Sequence, residues 1–282
     1  MIYINGQPIV KEYFSNTEVR ITEISALLNQ YSLEAKVELK YETENKDYKV
    51  NDDLMILYFV KKELDRINYE AELVLWSMPY QRMDHKNEGY LQTLPYAAEF
   101  IKSLEFKSIK VIEPHSEMTE LLLSGTKHTT LYPVINWALE VIEDFTTPNT
   151  EIVIAFPDRG AYERYGESFQ NNNFCVFRKQ RDGVSNQIIH HAIEIGNIPV
   201  GATCIILDDI CSTGKTLLDV AYYAKMAGAK KVFVVVGHCE NIALERGVVS
   251  DDSPIDLLFT SKSMINCKHE KIRYMNIPEG RV

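Results

Sequence analysis

The chain of 282 residues is 45% hydrophobic and 25% charged, which is enough apolar content to bury one large core or two of ordinary size. Its formal net charge of −10 argues against nonspecific attraction to nucleic acid or to an anionic membrane, so an anionic ligand would have to be held by local cations or a metal. Five cysteines, Cys175, Cys204, Cys211, Cys239 and Cys267, form no C-x-x-C pair and point to a reducing compartment rather than a disulfide scaffold or zinc site. No apolar run reaches membrane-span length and MIYINGQPIV is no leader, so the expectation is a cytoplasmic protein acting on small molecules.

In chain order, the first fifty residues are weakly patterned, and YETENKDYKV (41–50) reads as an exposed turn or hairpin. NDDLMILYFVKKELDRI (51–67) reads as a helix capped by Asn51 or Asp52, with Leu54, Leu57, Tyr58 and Leu64 on one face. Apolar runs follow at AELVLWSM (71–78), SIKVIEP (108–114), EIVIAFP (151–157), NFCVFRK (173–179), TCIILDD (203–209), KVFVVVG (231–237) and IDLLFTS (255–261). They are continuous rather than alternating, which indicates strands covered on both faces, hence an α/β fold. The polar stretch TTPNTE (146–151) separates two sets of strands and places a domain boundary near 147, giving domains 1–147 and 148–282.

In open α/β sheets ligands bind beyond the carboxyl ends of the strands, so the residues there are the candidates. They are Arg82, Asp84, His85 and Lys86, then His115, Asp158, the pair Lys179 and Arg181, and Asp208 with Asp209. The stretch that follows, CSTGKT (211–216), looks like a phosphate-binding P-loop, but that loop needs a glycine five residues before the G of G-K-T, and Asp209 stands there. What remains is a strand, a short loop, a helix over 213–227 and a further strand, a βαβ unit. Two carboxylates suit sugar hydroxyls or a magnesium shell better than bare phosphate. Taken singly, His115 reads equally as a surface or capping histidine, Asp158 as a turn residue, and Lys179 with Arg181 as a solvated strand edge. Adjacent acids after an apolar strand are different, because burying them without a partner is costly.

These residues resemble those of the ribose-phosphate pyrophosphokinases, enzymes built from two type I phosphoribosyltransferase-like domains, each a mainly parallel sheet flanked by helices. The acidic pair with x-T-G-x-T and the AGAKKV strand lead (227–232) are similar to that family's ribose 5-phosphate loop. FSNTE (14–18), PYQRMDHK (79–86), EPHSEM (113–118), FPDRGAYER (156–164) and FRKQRD (177–182) are similar to its further motifs, in the same order. The resemblance implies transfer of the β,γ-diphosphate of Mg-ATP to the C1 hydroxyl of a sugar phosphate, with release of AMP. It implies that Phe14, Asn16 and Glu18 contact adenine across a subunit interface, so that the protein is a homo-oligomer of at least two copies. Arg82, Asp84 and Lys86 would lie in the ATP loop, while His115, in a catalytic role too, and Asp158 would bind magnesium. Lys179 and Arg181 would act in catalysis. Asp208, Asp209, Ser212, Thr213, Gly214, Lys215 and Thr216 would bind the sugar phosphate.

The chain departs from the family's D-T-G-G-T at Ser212, where an acid is lost, and at Lys215, where a cation is gained. This shift of about two charge units favours an acceptor more anionic than a phosphomonoester. ADP-ribose is the natural candidate, and the chain resembles phage diphosphokinases of NAD salvage, with ribose 5-phosphate as the other acceptor. A phosphoribosyltransferase and a catalytically silent regulatory relative are the alternatives from other classes.

Overall fold

A computed structural model describes residues 1–41, 49–86, 89–181 and 188–275, and in it the chain divides into two units, Met1–Leu131 and a second beginning at Tyr132. In the first unit the strands are β1 (Ile2–Ile4), β2 (Gln7–Pro8), β3 (Lys11–Tyr13), β4 (Val19–Ile21), β5 (Glu34–Leu39), β6 (Glu70–Leu75), β7 (Ser108–Ile112) and β8 (His128–Leu131). Helices α1 (Val50–Arg66), α2 (Leu94–Ser103) and α3 (Met118–Leu123) connect the parallel strands. The sheet order is β2-β1-β5-β6-β7-β8, parallel from β5 onward and antiparallel at β1 and β2, with β3 and β4 forming a separate hairpin.

The second unit contains α4 (Pro133–Phe145), β9 (Ile152–Phe156), α5 (Arg159–Tyr165), β10 (Asn173–Arg181), β11 (Ile188–Ile195), β12 (Thr203–Cys211) and α6 (Lys215–Met226). It ends with β13 (Lys231–Cys239), α7 (Asn241–Glu245), β14 (Leu257–Thr260) and β15 (Ile272–Tyr274). Its seven strands run β11-β10-β9-β12-β13-β14-β15, all parallel except β11. The α/β class with mainly parallel sheets is therefore as read from the apolar runs.

Strand alternation explains why those runs are continuous. Val153, Ala155, Cys204, Ile206, Val232 and Val234 face one layer, where α6 contributes Leu217, Val220, Ala221 and Ala224. Ile154, Phe156, Ile205, Leu207, Phe233 and Val235 face the other, against Val134, Trp137, Ala138 and Val141 of α4 and Tyr165 of α5. That packing moves the division between units ahead of the expected 147. Because α4 buries its apolar face on the second sheet, Pro148 marks only the α4–β9 connection inside the second unit. All five cysteines are free thiols, four of them buried.

The helix expected over 51–67 begins at Val50 with Lys49 at its N-cap and no side-chain cap, so neither Asn51 nor Asp52 caps it. Asp52 and Asp53 lie in its first turn, where carboxylates suit the helix dipole, and buried Asp53 pairs with Lys11 Nζ at 3.0 Å. Leu57 and Leu64 are buried as expected, but Tyr58 is exposed, and the inner face is completed by Ile56 and Val60. The reading of 41–50 as a turn or hairpin falls largely on residues outside those described. The five short strands before residue 40 escaped the pattern search because four are two or three residues long.

Trp137 is 2% exposed against Phe156 and Phe233 in one cluster. Trp137→Ala is expected to destabilise the protein by about 3–5 kcal/mol, read as a lower denaturation midpoint at unchanged slope.

Candidate functional site

The second unit gathers its candidates where β9, β12 and β13 end. β12 is longer than the sequence indicated, pairing with β13 as far as Cys211↔Cys239, so Asp208 and Asp209 sit within the strand and the loop proper is Ser212–Gly214. Asp209 is 3% exposed and follows Ile205 and Leu207 to the face carrying α5, where Arg164 Nη1 meets its Oδ1 at 3.1 Å. Burial disfavours the charge on Arg164, but Asp209 and Tyr165 together outweigh this and hold the guanidinium above its usual pKa. Asp208 accepts the Asp209 amide at 2.9 Å. Burial, and then the negative charge of Asp209 and of Asp158, push the Asp208 carboxyl well above the usual carboxylate range.

Asp158 stands at the N-cap of α5, its Oδ1 accepting the Ala161 amide at 3.1 Å. It is thus a cap, and at the same time a charge felt by Asp208 at the end of the neighbouring strand. Gly214, at the N-cap of α6, has φ of +75°, and a Cβ there would lie 2.1 Å from Cγ2 of Val248. Both facts require glycine and explain why α6 starts at Lys215 rather than Thr213. Lys215 and Thr213 are exposed, while Thr216 and Ser212 are half-buried. Ser212 Oγ donates to Oε2 of Glu240 at 2.8 Å. The backbones of Lys179 and Arg181 belong to β10, and their side chains lie outside those described.

In the first unit, the segment after β6 folds back on itself. The Met83 amide donates to the Tyr80 carbonyl at 2.8 Å, and Gln92 Nε2 donates to the Asp84 carbonyl. Asp84 is 5% exposed, with its Oδ1 2.6 Å from His85 Nδ1. Burial works against its ionisation, but the Ser116 hydroxyl, His85 and the charge of His115 outweigh it and hold the carboxyl below its usual value. Asp84 is therefore the internal anchor of this loop, whereas Arg82 and Lys86 are exposed. His115 is half-buried, and its amide donates to Gln81 Oε1 at 3.2 Å; buried Gln81 is in turn held by Ser77. Phe14, Asn16 and Glu18 are exposed at the β3–β4 tip, where Asn16 Oδ1 accepts the Glu18 amide and Arg20 lies over the Phe14 ring at 5.2 Å.

Sequence reading missed Arg164, Glu240 and Gln81. Arg164 lay inside a quoted motif but away from a strand end, Gln81 lay at a strand end but carries no charge, and Glu240 lies beyond the run 231–237, where β13 continues to Cys239. Among the described residues, no three His, Cys, Asp or Glu side chains converge as a preformed metal site, and no helix is long and apolar enough to cross a membrane.

A phosphoribosyl transferase domain is matched over residues 126–247, the stretch that holds this parallel-sheet edge with its acids and the helix N-terminus behind them. Beyond that class, the chain is similar to ribose-phosphate pyrophosphokinases, as its motifs implied. It is 30% identical over 190 residues to that of Sulfurisphaera tokodaii, covering 65% of this chain and 62% of the relative. It is 27% identical over 195 residues to that of Sulfolobus acidocaldarius, covering 66% and 63%. The chain thus spans less than two thirds of the length of these relatives. The crystal structure of phosphoribosylpyrophosphate synthetase from Mycobacterium smegmatis matches with a TM-score of 0.74 over 95% of this chain and 85% of that one; at 18% identity, this shows a shared fold.

The raised carboxyl of Asp208 has a stability consequence with a definite sign. Its folded pKa lies above the unfolded value of about 4, so the wild type loses stability as pH rises from there toward the folded pKa. Asp208→Asn is expected to raise Tm at neutral pH and to lose that advantage near pH 4, as thermal scans across pH would show.

Proposed function

We propose that the protein is a Mg-ATP-dependent diphosphotransferase that moves the β,γ-diphosphate of ATP to the C1 hydroxyl of a 5-phosphorylated ribose and releases AMP. The observation that carries this reading is the last stretch of β12, where the half-buried Asp208 carboxyl, with Asp209 beside it, precedes the loop and the glycine-fixed helix N-terminus of α6. Such a carboxyl is poised to accept sugar hydroxyls. The unpaired amides opening α6, with Lys215 beside them, suit the 5-phosphate. The activity of the relatives, ribose-phosphate pyrophosphokinase, supports the same transfer.

In this reading Arg82 and Lys86 bind the phosphates of ATP, on a loop whose shape Asp84 maintains. Phe14, Asn16 and Glu18 hold the adenine of an ATP bound by a second copy, which makes the enzyme a homo-oligomer of at least two chains. Lys179 and Arg181 stabilise charge on the β-phosphoryl group and the departing AMP. The sugar C1 hydroxyl gives up its proton to solvent as its oxygen forms the new bond to the β-phosphorus, and the bond from that phosphorus to the α,β-bridging oxygen breaks, leaving that oxygen on AMP. Magnesium suits the chemistry of this strand end, because the charges of Asp158 and Asp208 lie within electrostatic reach of each other and carboxylate oxygens are its usual ligands. Asp158 is the candidate to hold it in the second unit and His115 the candidate in the first, and magnesium would supply neutralisation of charge on the diphosphate. Lys215, exposed on the first turn of α6, favours an acceptor with a further phosphate, of which ADP-ribose is the example, over ribose 5-phosphate.

The domain match confined to 126–247 gives a phosphoribosyltransferase as the second reading. Incubation with Mg-ATP and a panel of ribose phosphates is expected to yield AMP; stoichiometric ADP, or no consumption of ATP, would overturn the transfer proposed here. Lys179→Ala and Arg181→Ala are each expected to lower turnover by about a hundredfold, measured at saturating substrates. Lys215→Gly is expected to raise KM for ADP-ribose by about ten- to a hundredfold and to leave ribose 5-phosphate unaffected, as parallel saturation curves would show.

A further inference from the structure

The register of β6 with β7 runs to Leu75↔Val111, and beyond it come the loop of Arg82 and Lys86 on one side and the segment of His115 on the other. A side chain bridges them there. Gln81 is 4% exposed; its Oε1 accepts the His115 amide at 3.2 Å, and its Nε2 donates to Oγ of Ser77, itself 1% exposed, at 2.9 Å. A backbone N–H can only donate, so the carbonyl end of the Gln81 amide must face His115 and the NH2 end Ser77. Both ends of the group are thus engaged, one after each strand.

The backbone is shaped to deliver this side chain. The Gln81 amide donates to the Met78 carbonyl at 3.3 Å and the Met83 amide to the Tyr80 carbonyl at 2.8 Å, which makes two successive tight turns. Tyr80 has φ of +61°, a left-handed angle that a residue with a side chain keeps only where its surroundings enforce it, and its hydroxyl is bonded to Asn51 Oδ1 on α1. The chain reverses here, so that Gln81 turns inward while Arg82, the next residue, is exposed. Glu113, two residues before His115, is buried and left-handed as well, at φ of +43°. Disfavoured angles on both sides of the bridge mark a geometry that is held rather than relaxed.

We propose that Gln81 is a positioning residue for the nucleotide: by tying the loop of Arg82 and Lys86 to the segment of His115, it fixes the spacing between the cations that take the phosphates and the imidazole that takes their magnesium. The proposal rests on the reading of these two segments as the ATP site. It makes the separate claim that they act as one body through a single neutral side chain that touches no ligand.

The test is calorimetry of nucleotide binding to the full chain, with Mg-ATP and metal-free ATP as probes. Gln81→Met keeps the length of the side chain and removes both of its bonds. It is expected to weaken Mg-ATP by about tenfold and to leave metal-free ATP, held by the cations alone, within about twofold of the wild type. Gln81→Glu keeps one oxygen for the His115 amide and another for the Ser77 hydroxyl, and is expected to bind Mg-ATP as the wild type does. In the AMP assay, KM for ATP is expected to rise about tenfold in Gln81→Met while KM for the ribose phosphate stays constant. A residue that merely stabilised the loop would affect both forms of ATP alike, and that result would overturn the proposal. So would unchanged Mg-ATP binding in Gln81→Met, or no recovery in Gln81→Glu. Where Gln81→Met does not fold, Ser77→Ala loosens the bridge at its other end and is expected to weaken Mg-ATP about threefold relative to metal-free ATP; an unchanged ratio there would also overturn it. A wild type that binds neither form of ATP would overturn it together with the proposed function. Mg-ATP binding with the expected ratios but no AMP would leave it standing and remove the diphosphotransfer.

Discussion

Parallel strands put their carboxyl ends along one edge, so the side chains that follow them are brought together whatever their charge. In the second unit this constraint sets Asp158 after β9 and Asp208 with Asp209 on β12 within electrostatic reach of one another. The crowding is resolved unequally. Asp209 turns to the α5 face and is neutralised by Arg164, while Asp158 is partly satisfied by the first amides of its own helix. Asp208 is left with a carboxyl that prefers to hold its proton. A chemically distinct acid therefore arises from neighbours that share its residue type, by burial and pairing alone.

Much of this was legible in the sequence, and the parts that were not share a cause. The long apolar runs of β9, β12 and β13 were visible because both faces of each strand are covered, so few polar residues interrupt them. The segment Glu34–Leu39 was not, since Glu34, Lys36 and Glu38 put a charge at every second position along it. The division between the units was misplaced because a proline-bearing polar stretch marks a loop, and only packing shows which sheet the preceding helix covers. Asp208 and Asp209 stood out as a pair, yet their different fates depend on Arg164, which the alternation of β12 and the position of α5 bring near.

The same logic holds for the first unit's loop. Asp84 looked like one polar residue among several in PYQRMDHK, but it is buried and held by His85, and the bond of Gln81 to the His115 amide connects the ends of β6 and β7. A residue that shapes a loop and one that touches a ligand carry the same letters. Burial separates them, with Asp84 5% exposed and Arg82 open to solvent.

Gly214 and Val248 bear on how such a loop could be moved between proteins. The glycine supplies a backbone angle, and its missing Cβ is the space into which the valine methyl fits, so the geometry of residues 212–216 is partly stored some thirty positions downstream, beyond α7. A graft of the β12–α6 segment onto another sheet would carry the sequence of the loop without the wall that shapes it. The transplantable unit is the loop together with the turn around Gly247 and Val248, and libraries that randomise one of these segments while fixing the other would sample mostly misshapen loops.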